Sequence, residues 1–309
     1  MHPILYWLNV RMQIGDLNIL FGEHPEIKAI GERLGVRGDK HLLLSGLHAS
    51  ARALALAHIA RPMFVIFDNA ESAQYAYSDL KALGTNVGFF PAAKRRRTID
   101  DAAVIQRTEC LTALSAAINN GDAALNGANG ANGGRLIIVT YPEAVAESVP
   151  AREELSAVSF QLSVGEEIQQ SALSSQLSEL GFERVDFVFQ PGQYAVRGSI
   201  VDIYSYSHDT PYRLDFFGDE IDSIREFDIE DQLSKNRVDS AEIVGSQPSA
   251  VSHQHSVVDY LTEEYVWVSN DFSIVRFKLE GLNNPSILNN LSNQTIEIAE
   301  KVLSRSIRR

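Results

Sequence analysis

Short apolar runs alternate with longer amphipathic stretches through the first half of this chain. His41-Leu42-Leu43-Leu44, Met63–Phe67, Val87–Phe90 and Leu136–Thr140 are strand-length and almost wholly apolar. Between them, Ala49–Ala60, Ala70–Leu83 and Ile99–Ile118 carry helical spacing, and Gly84 stops the second of these helices. Pro142 opens a further helix over 142–148, where its missing N–H is not needed. Continuous apolar strands separated by helices are the pattern of a parallel sheet covered on both faces, an α/β fold.

Near residue 155 the pattern changes. Val158–Leu162 reads as a strand, Ile168–Leu180 as a helix stopped by Gly181, and Val185–Phe189 as another strand. Strict alternation follows. Tyr212, Leu214 and Phe216 fall on one face of a strand, and Arg213, Asp215 and Phe217 on the other. Gly218-Asp219 supplies a tight turn, so 211–217 and 220–227 form a hairpin. The spacing Ile221, Ile224, Phe227 breaks alternation and implies a bulge in the second strand. Arg197-Gly198 sits between strands 193–196 and 199–204. This is a small α+β module of roughly 80 residues, a usual size for an inserted unit. From Glu242-Ile243-Val244 the chain is expected to return to the first domain. Tyr265–Val268 adds a strand, and Ile287–Arg309 reads as a closing helix with a basic end. The expected division is 12–155, an inserted 156–238, and 239–309.

The chain has 309 residues and a net charge of −13, so it is a poor bulk binder of phosphate backbones and better suited to docking on proteins. The single cysteine, Cys110, excludes a disulfide framework and a multi-thiolate metal site, and its helical setting makes it a small core residue. No run has the length of a membrane span. Met1–Arg11 is apolar but lacks a basic lead and a cleavage site, so it reads as an upstream extension, and a cytoplasmic location is expected. Gly121–Gly134, rich in Asn and Gly, is a flexible surface loop.

The turn Ser45-Gly46-Leu47-His48-Ala49-Ser50-Ala51-Arg52-Ala53 lies between a strand and a helix, the setting of a phosphate-binding loop. Such a loop needs G-x-x-x-x-G-K-[ST]. Gly46 fits, but Ala51 replaces the second glycine, Arg52 the lysine and Ala53 the magnesium-binding hydroxyl. Ser269-Asn270-Asp271, after a later strand, is not the acidic pair of a nucleotide hydrolase. The site is therefore read as degenerate, with no hydrolysis and no cofactor or metal expected. The eight histidines show no ligand spacing, and His253 and His255 are read as an accidental pair in a polar loop. Lys94-Arg95-Arg96-Arg97 is the one dense basic run, in a loop that either meets DNA or an acidic partner or is simply solvated. Phe217, beside two arginines on a polar face, fits a protein-docking patch. Taken without other information, it is read instead as covering a neighbouring turn while the arginines pair with Asp215 or Asp219.

One longer string decides between these readings. Gly192-x-Tyr194-x-x-Arg197-Gly198-x-x-x-Asp202, then Pro211 to Phe217, Asp219 to Ser223 and Phe227-Asp228, resembles the UvrA-contacting segment of the N-terminal UvrB-like module of the bacterial transcription-repair coupling factors. The resemblance covers about 12–245. It implies a helicase-like (RecA-like) α/β domain that has lost its ATPase, with an inserted domain that docks on UvrA. Arg197, Arg213 and Phe217 fall on the contact positions, and Tyr194 and Asp219 support them. The implied function is UvrA recruitment in transcription-coupled nucleotide excision repair, by a module that is not itself an enzyme. RNA polymerase, DNA, ATP and magnesium would be met by further domains of the family. The alternatives are a UvrB-like ATP-dependent repair protein and a DNA-binding module using Lys94–Arg97.

Overall fold

In the computed structural model, which describes residues 14–35, 41–95, 98–99, 101–119, 135–245, 255–282 and 295–299, the apolar runs do form one parallel sheet. Its strands are β1 (His41–Ser45), β2 (Met63–Ile66), β3 (Val87–Phe90), β6 (Ile137–Thr140), β15 (Val266–Ser269) and β16 (Thr295–Ala299), in the order β1-β16-β15-β2-β6-β3. Every neighbouring pair is parallel. Alternate residues feed two cores. Met63, Val65, Ile137, Val139, Val266 and Val268 pack under the helices α2 (Pro25–Gly35), α3 (Ala51–Ala57) and α4 (Ala70–Ala82), with α1 (Ile14–Glu23) lying against α2 and α3. Phe64, Ile66, Ile138 and Trp267 pack under α5 (Asp101–Asn119), α6 (Pro142–Val145), a 3-10 turn (Val257–Tyr260) and α9 (Phe272–Gly281). Phe64 and Trp267 meet edge to face with ring centroids 4.9 Å apart. Both faces are covered at β2, β6 and β15, whose residues are all buried, which is why these central strands carry no polar alternation.

The second unit is entered through α7 (Arg152–Ala157) and β7 (Ser159–Ser163). It comprises α8 (Gln170–Glu179), β8 (Glu183–Arg184), β9 (Gln193–Arg197), β10 (Ile200–Tyr204), β11 (Tyr212–Phe217), β12 (Glu220–Phe227), β13 (Ser234–Val238) and β14 (Ser240–Val244). A six-stranded sheet in the order β13-β12-β11-β10-β9-β8 is antiparallel except at β8–β9. Its inner face, with Val201, Ile203, Leu214, Phe216 and Ile224, closes on Leu173 and Leu177 of α8. The hairpin β11–β12 has the expected bulge: Asp215 faces Ser223 and Phe216 faces Ile221, leaving Asp222 unpaired.

Several expectations are corrected. The segment 295–299 is a strand inside the parallel sheet, not part of a closing helix. Residues 185–189 are not a strand, because the amides of Phe189 and Gln190 donate to the Gln193 side chain instead of a ladder. The return to the first unit comes later than 239: β14 pairs antiparallel with β7, and Ala241 and Ile243 lie in the second unit's core. The amide of Gly245 donates to the Val158 carbonyl at 2.9 Å, so the ends of the insertion lie side by side. Lys94–Arg95 is not a loop. It forms β4, paired with β5 (Thr98–Ile99), so the helix begins at Asp101 and not at Ile99. Residues 1–11, Arg96, Arg97, Gly121–Gly134 and His253 lie outside the described residues.

Candidate docking face

The outer face of the antiparallel sheet carries the charged and aromatic residues of the motif. β9 and β10 put Arg197 and Asp202 there, and β11 adds Arg213, Asp215 and Phe217, with alternation fixing the side of each. Asp202 is fully buried. Its carboxylate accepts from Arg213 Nε at 2.7 Å, from Arg213 Nη2 at 3.0 Å, and from Arg197 Nη2. Arg213 Nη1 donates to the carbonyl of Gln232 at 2.9 Å. Hydrogen bonding to Asp202 raises the already high basicity of Arg213. Each guanidinium also lies over a ring: Arg197 over Phe187 at 4.7 Å, and Arg213 over Phe227 at 4.4 Å. The arginines therefore pair with Asp202. The local pairing with Asp215 or Asp219 that residues alone allowed is not what forms.

Phe217 stands clear of this network and is 81% exposed. The turn below it is held firmly. Gly218 adopts φ +67°, a left-handed conformation that glycine takes without strain. The Asp219 carbonyl accepts from the Ile168 amide at 2.7 Å, and the Ile221 amide donates to Glu166 at 2.9 Å. Exposed Asp219 thus serves through its backbone. Tyr194 is buried on the opposite face, with its hydroxyl 3.1 Å from Ser178 Oγ; it braces α8 and presents nothing outward. The sequence reading missed other exposed apolar groups here: Phe187, Phe189 and Leu233. The segment 185–190 and the loop after β12 fold over the sheet, where Val188 and Phe227 form a small second core with Ala195 and Tyr204. The apolar spacing of Phe187 and Phe189 was visible, but was read as a strand.

The turn from Gly46 to Ala53 lies elsewhere, at the end of β1. Gly46 has φ +82° and Ala49 φ +48°, and the helix that follows is short. Ala53 is buried in the core and Arg52 lies 6.0 Å from the ring of Phe67. Asn270 is tied to Asp68: its side-chain amide donates to Asp68 Oδ1 at 2.6 Å and its side-chain carbonyl accepts from the Asp68 amide at 3.0 Å. Among the described residues one group, Glu109, His208 and Asp209, has metal-ligating atoms close together. His208 already contacts Asp209 at 3.0 Å and Glu226 at 3.2 Å. These residues come from different units, so sequence spacing gave no sign of them.

The family description of the UvrB interaction domain fits residues 160–248. The chain carries a UvrB interaction domain. That match contains β8 to β14, the hairpin and every residue of the outer-face network. Over a longer span the chain is similar to transcription-repair-coupling factors. It is 31% identical to the Bacillus subtilis protein over 234 residues, 74% of this chain and 19% of that one. It is 29% identical to the Mycobacterium tuberculosis protein over 221 residues, 70% of this chain and 17% of that one. The Escherichia coli protein is 40% identical over 80 residues, 26% of this chain and 7% of that one. The chain is a homologue of these factors, corresponds to their N-terminal UvrB-like module, and spans under a fifth of their length. Among the described residues no helix is long and apolar enough to cross a membrane.

Proposed function

We propose that this chain recruits UvrA in transcription-coupled nucleotide excision repair, acting as a docking module on a helicase-like scaffold without nucleotide hydrolysis of its own. The observation that carries the reading is Phe217, exposed at the tip of a clamped hairpin inside a UvrB interaction domain. A large aromatic held rigidly in water loses little conformational freedom on binding and can anchor an interface. In this reading Arg197 and Arg213, ordered by their shared bonds to Asp202, stand with Phe217 on the face that meets UvrA. The absence of catalysis is supported by Arg52 and Ala53 at the lysine and hydroxyl positions of the loop. Contacts with RNA polymerase and DNA, in this reading, belong to further parts of a coupling factor.

The test is a titration of the chain with purified UvrA, alongside an ATP-hydrolysis assay of the chain alone. Saturable UvrA binding with no hydrolysis above background supports the reading. Hydrolysis abolished by changing Arg52 would point instead to a UvrB-like ATPase. DNA binding abolished by changing Lys94 and Arg95 would point to a nucleic-acid module.

A further inference from the structure

The segment between β8 and β9 folds over the outer face of the antiparallel sheet and is pinned on both sides of its apolar residues. The Val185 amide donates to the Tyr194 carbonyl at 2.9 Å, and the amides of Phe189 and Gln190 donate to Gln193 Oε1 at 3.0 and 3.2 Å. Val188 is fully buried, while Phe187 and Phe189 are 50% and 59% exposed. Packing thus uses the valine and leaves both rings half in water. Phe187 meets Arg197, whose guanidinium lies over its ring at 4.7 Å. A guanidinium is planar, so a ring can cover one face and leave the N–H edges open. Nη2 of Arg197 donates to Asp202, whereas Nε and Nη1 have no hydrogen-bond partner among the described residues. Arg213, by contrast, engages Nε, Nη1 and Nη2. Register links this feature to the hairpin tip. Arg197 pairs with Ile200 and Ile200 with Asp215, two residues before Phe217 on the same face.

We propose that Phe187 is a further residue of the docking face: its ring holds the Arg197 guanidinium in place for a carboxylate of the partner and is itself covered in the complex. The proposal rests on the reading that the partner is UvrA, and it adds an aromatic platform, supplied by the segment before β9, to the face that carries Phe217. Stacked on the ring and tied to Asp202, Arg197 has few rotamers left to lose when an acidic group arrives. The incoming carboxylate takes the N–H groups that Asp202 does not use, and the partner's surface shields the ring and strengthens both contacts. Phe187 therefore acts on the partner's charge through Arg197, as a positioning residue.

The experiment is a UvrA titration of the wild-type chain, Phe187→Ala, Phe187→Leu, Phe187→Tyr, Arg197→Ala, the Phe187→Ala/Arg197→Ala double variant and Phe217→Ala, with thermal melting of each. Phe187→Ala is expected to weaken binding by about fivefold, the scale of a cation–π contact. Phe187→Leu, apolar but without a ring face, should resemble Ala, and Phe187→Tyr should bind as wild type. In the Arg197→Ala background, removing the ring should cost less than about twofold, because the two side chains act together. Melting midpoints of the Phe187 variants should stay close to wild type, since the buried Val188 is untouched. If Phe187→Ala and Phe187→Leu bind as wild type while Phe217→Ala is weakened, this proposal fails and the UvrA reading stands. If Phe187→Ala costs the same with and without Arg197, the ring does not act through the guanidinium and the proposal is overturned. If the wild-type chain does not bind UvrA, the reading fails and takes the proposal with it.

Discussion

Replacing Asp202 with asparagine should loosen the docking face more than any surface change on it. The side chain is fully buried and receives three N–H groups from two arginines. Asparagine keeps the shape but loses the charge, and its amide nitrogen turns a donor toward donors. Removing one partner of a buried ion pair costs about 3–5 kcal/mol, because the remaining charge stays desolvated. Here Arg197 is about one-third exposed, and water can reach it once freed. The lower end, about 3 kcal/mol, is therefore expected. In a unit of this size each kcal/mol shifts the melting midpoint by roughly 4–8 °C, so a fall of more than about 10 °C follows. Amide hydrogen exchange would localise it, with faster exchange in β9, β10 and β11. Asp215→Asn is the matched control: the residue is on the same face, half-exposed, and held by Ser199 Oγ at 3.2 Å. Its effect should stay within about 0.5 kcal/mol. If the two variants melt alike and leave β10 equally protected, Asp202 does not organise this face.

Phe217→Ala should leave melting unchanged, since the ring is largely in water, yet cost on the order of 2 kcal/mol of UvrA docking, or about 30-fold in Kd. Stability should also fall as pH rises through neutrality. Burial pushes Glu109 up to about 7, and the Asp209 hydrogen bond raises His208 above its usual value. Both groups hold their protons more tightly when folded. Their contribution is complete below about pH 4.5 for Glu109 and about 6.5 for His208, and is lost as pH climbs through their folded values. Melting midpoints from pH 5 to 8.5 should therefore decline, and Glu109→Gln should flatten the slope; an equally steep slope in the variant would refute this. Burial also pushes the Cys110 thiol far up. Thiol reagents at pH 8 should label it only at the rate of unfolding, and rapid labelling of the native chain would show that its helix opens locally.

Legibility in the sequence followed period and reach. Strands buried on both faces announced themselves as unbroken apolar runs, and Tyr212 to Phe217 announced its two faces by strict alternation. Even the bulge at Asp222 was visible, because Ile221 and Ile224 must both face inward. Residues 295–299 were misread because five alternating residues can be absorbed into a longer helical-looking stretch, and only pairing with β1 and β15 decides the matter. The segment 185–189 failed for a related reason: its apolar residues cover a sheet instead of joining it. The return of the chain at β14 was set by pairing with β7, a contact between distant residues. At the site, the exposure of Phe217 followed from its face. The burial of Asp202 did not, since an aspartate in a strand gives no sign that two arginines enclose it.

The central claim is that this chain meets UvrA through the outer face of its antiparallel sheet. Hydrogen–deuterium exchange of the chain with and without saturating UvrA tests it most directly. The expected result is slowed exchange in β11, β12 and the Gly218 turn, with the Gly46–Arg52 turn unchanged. Protection confined to that turn or to the Lys94–Arg95 hairpin, or no protection at all under conditions of demonstrated binding, would contradict the account.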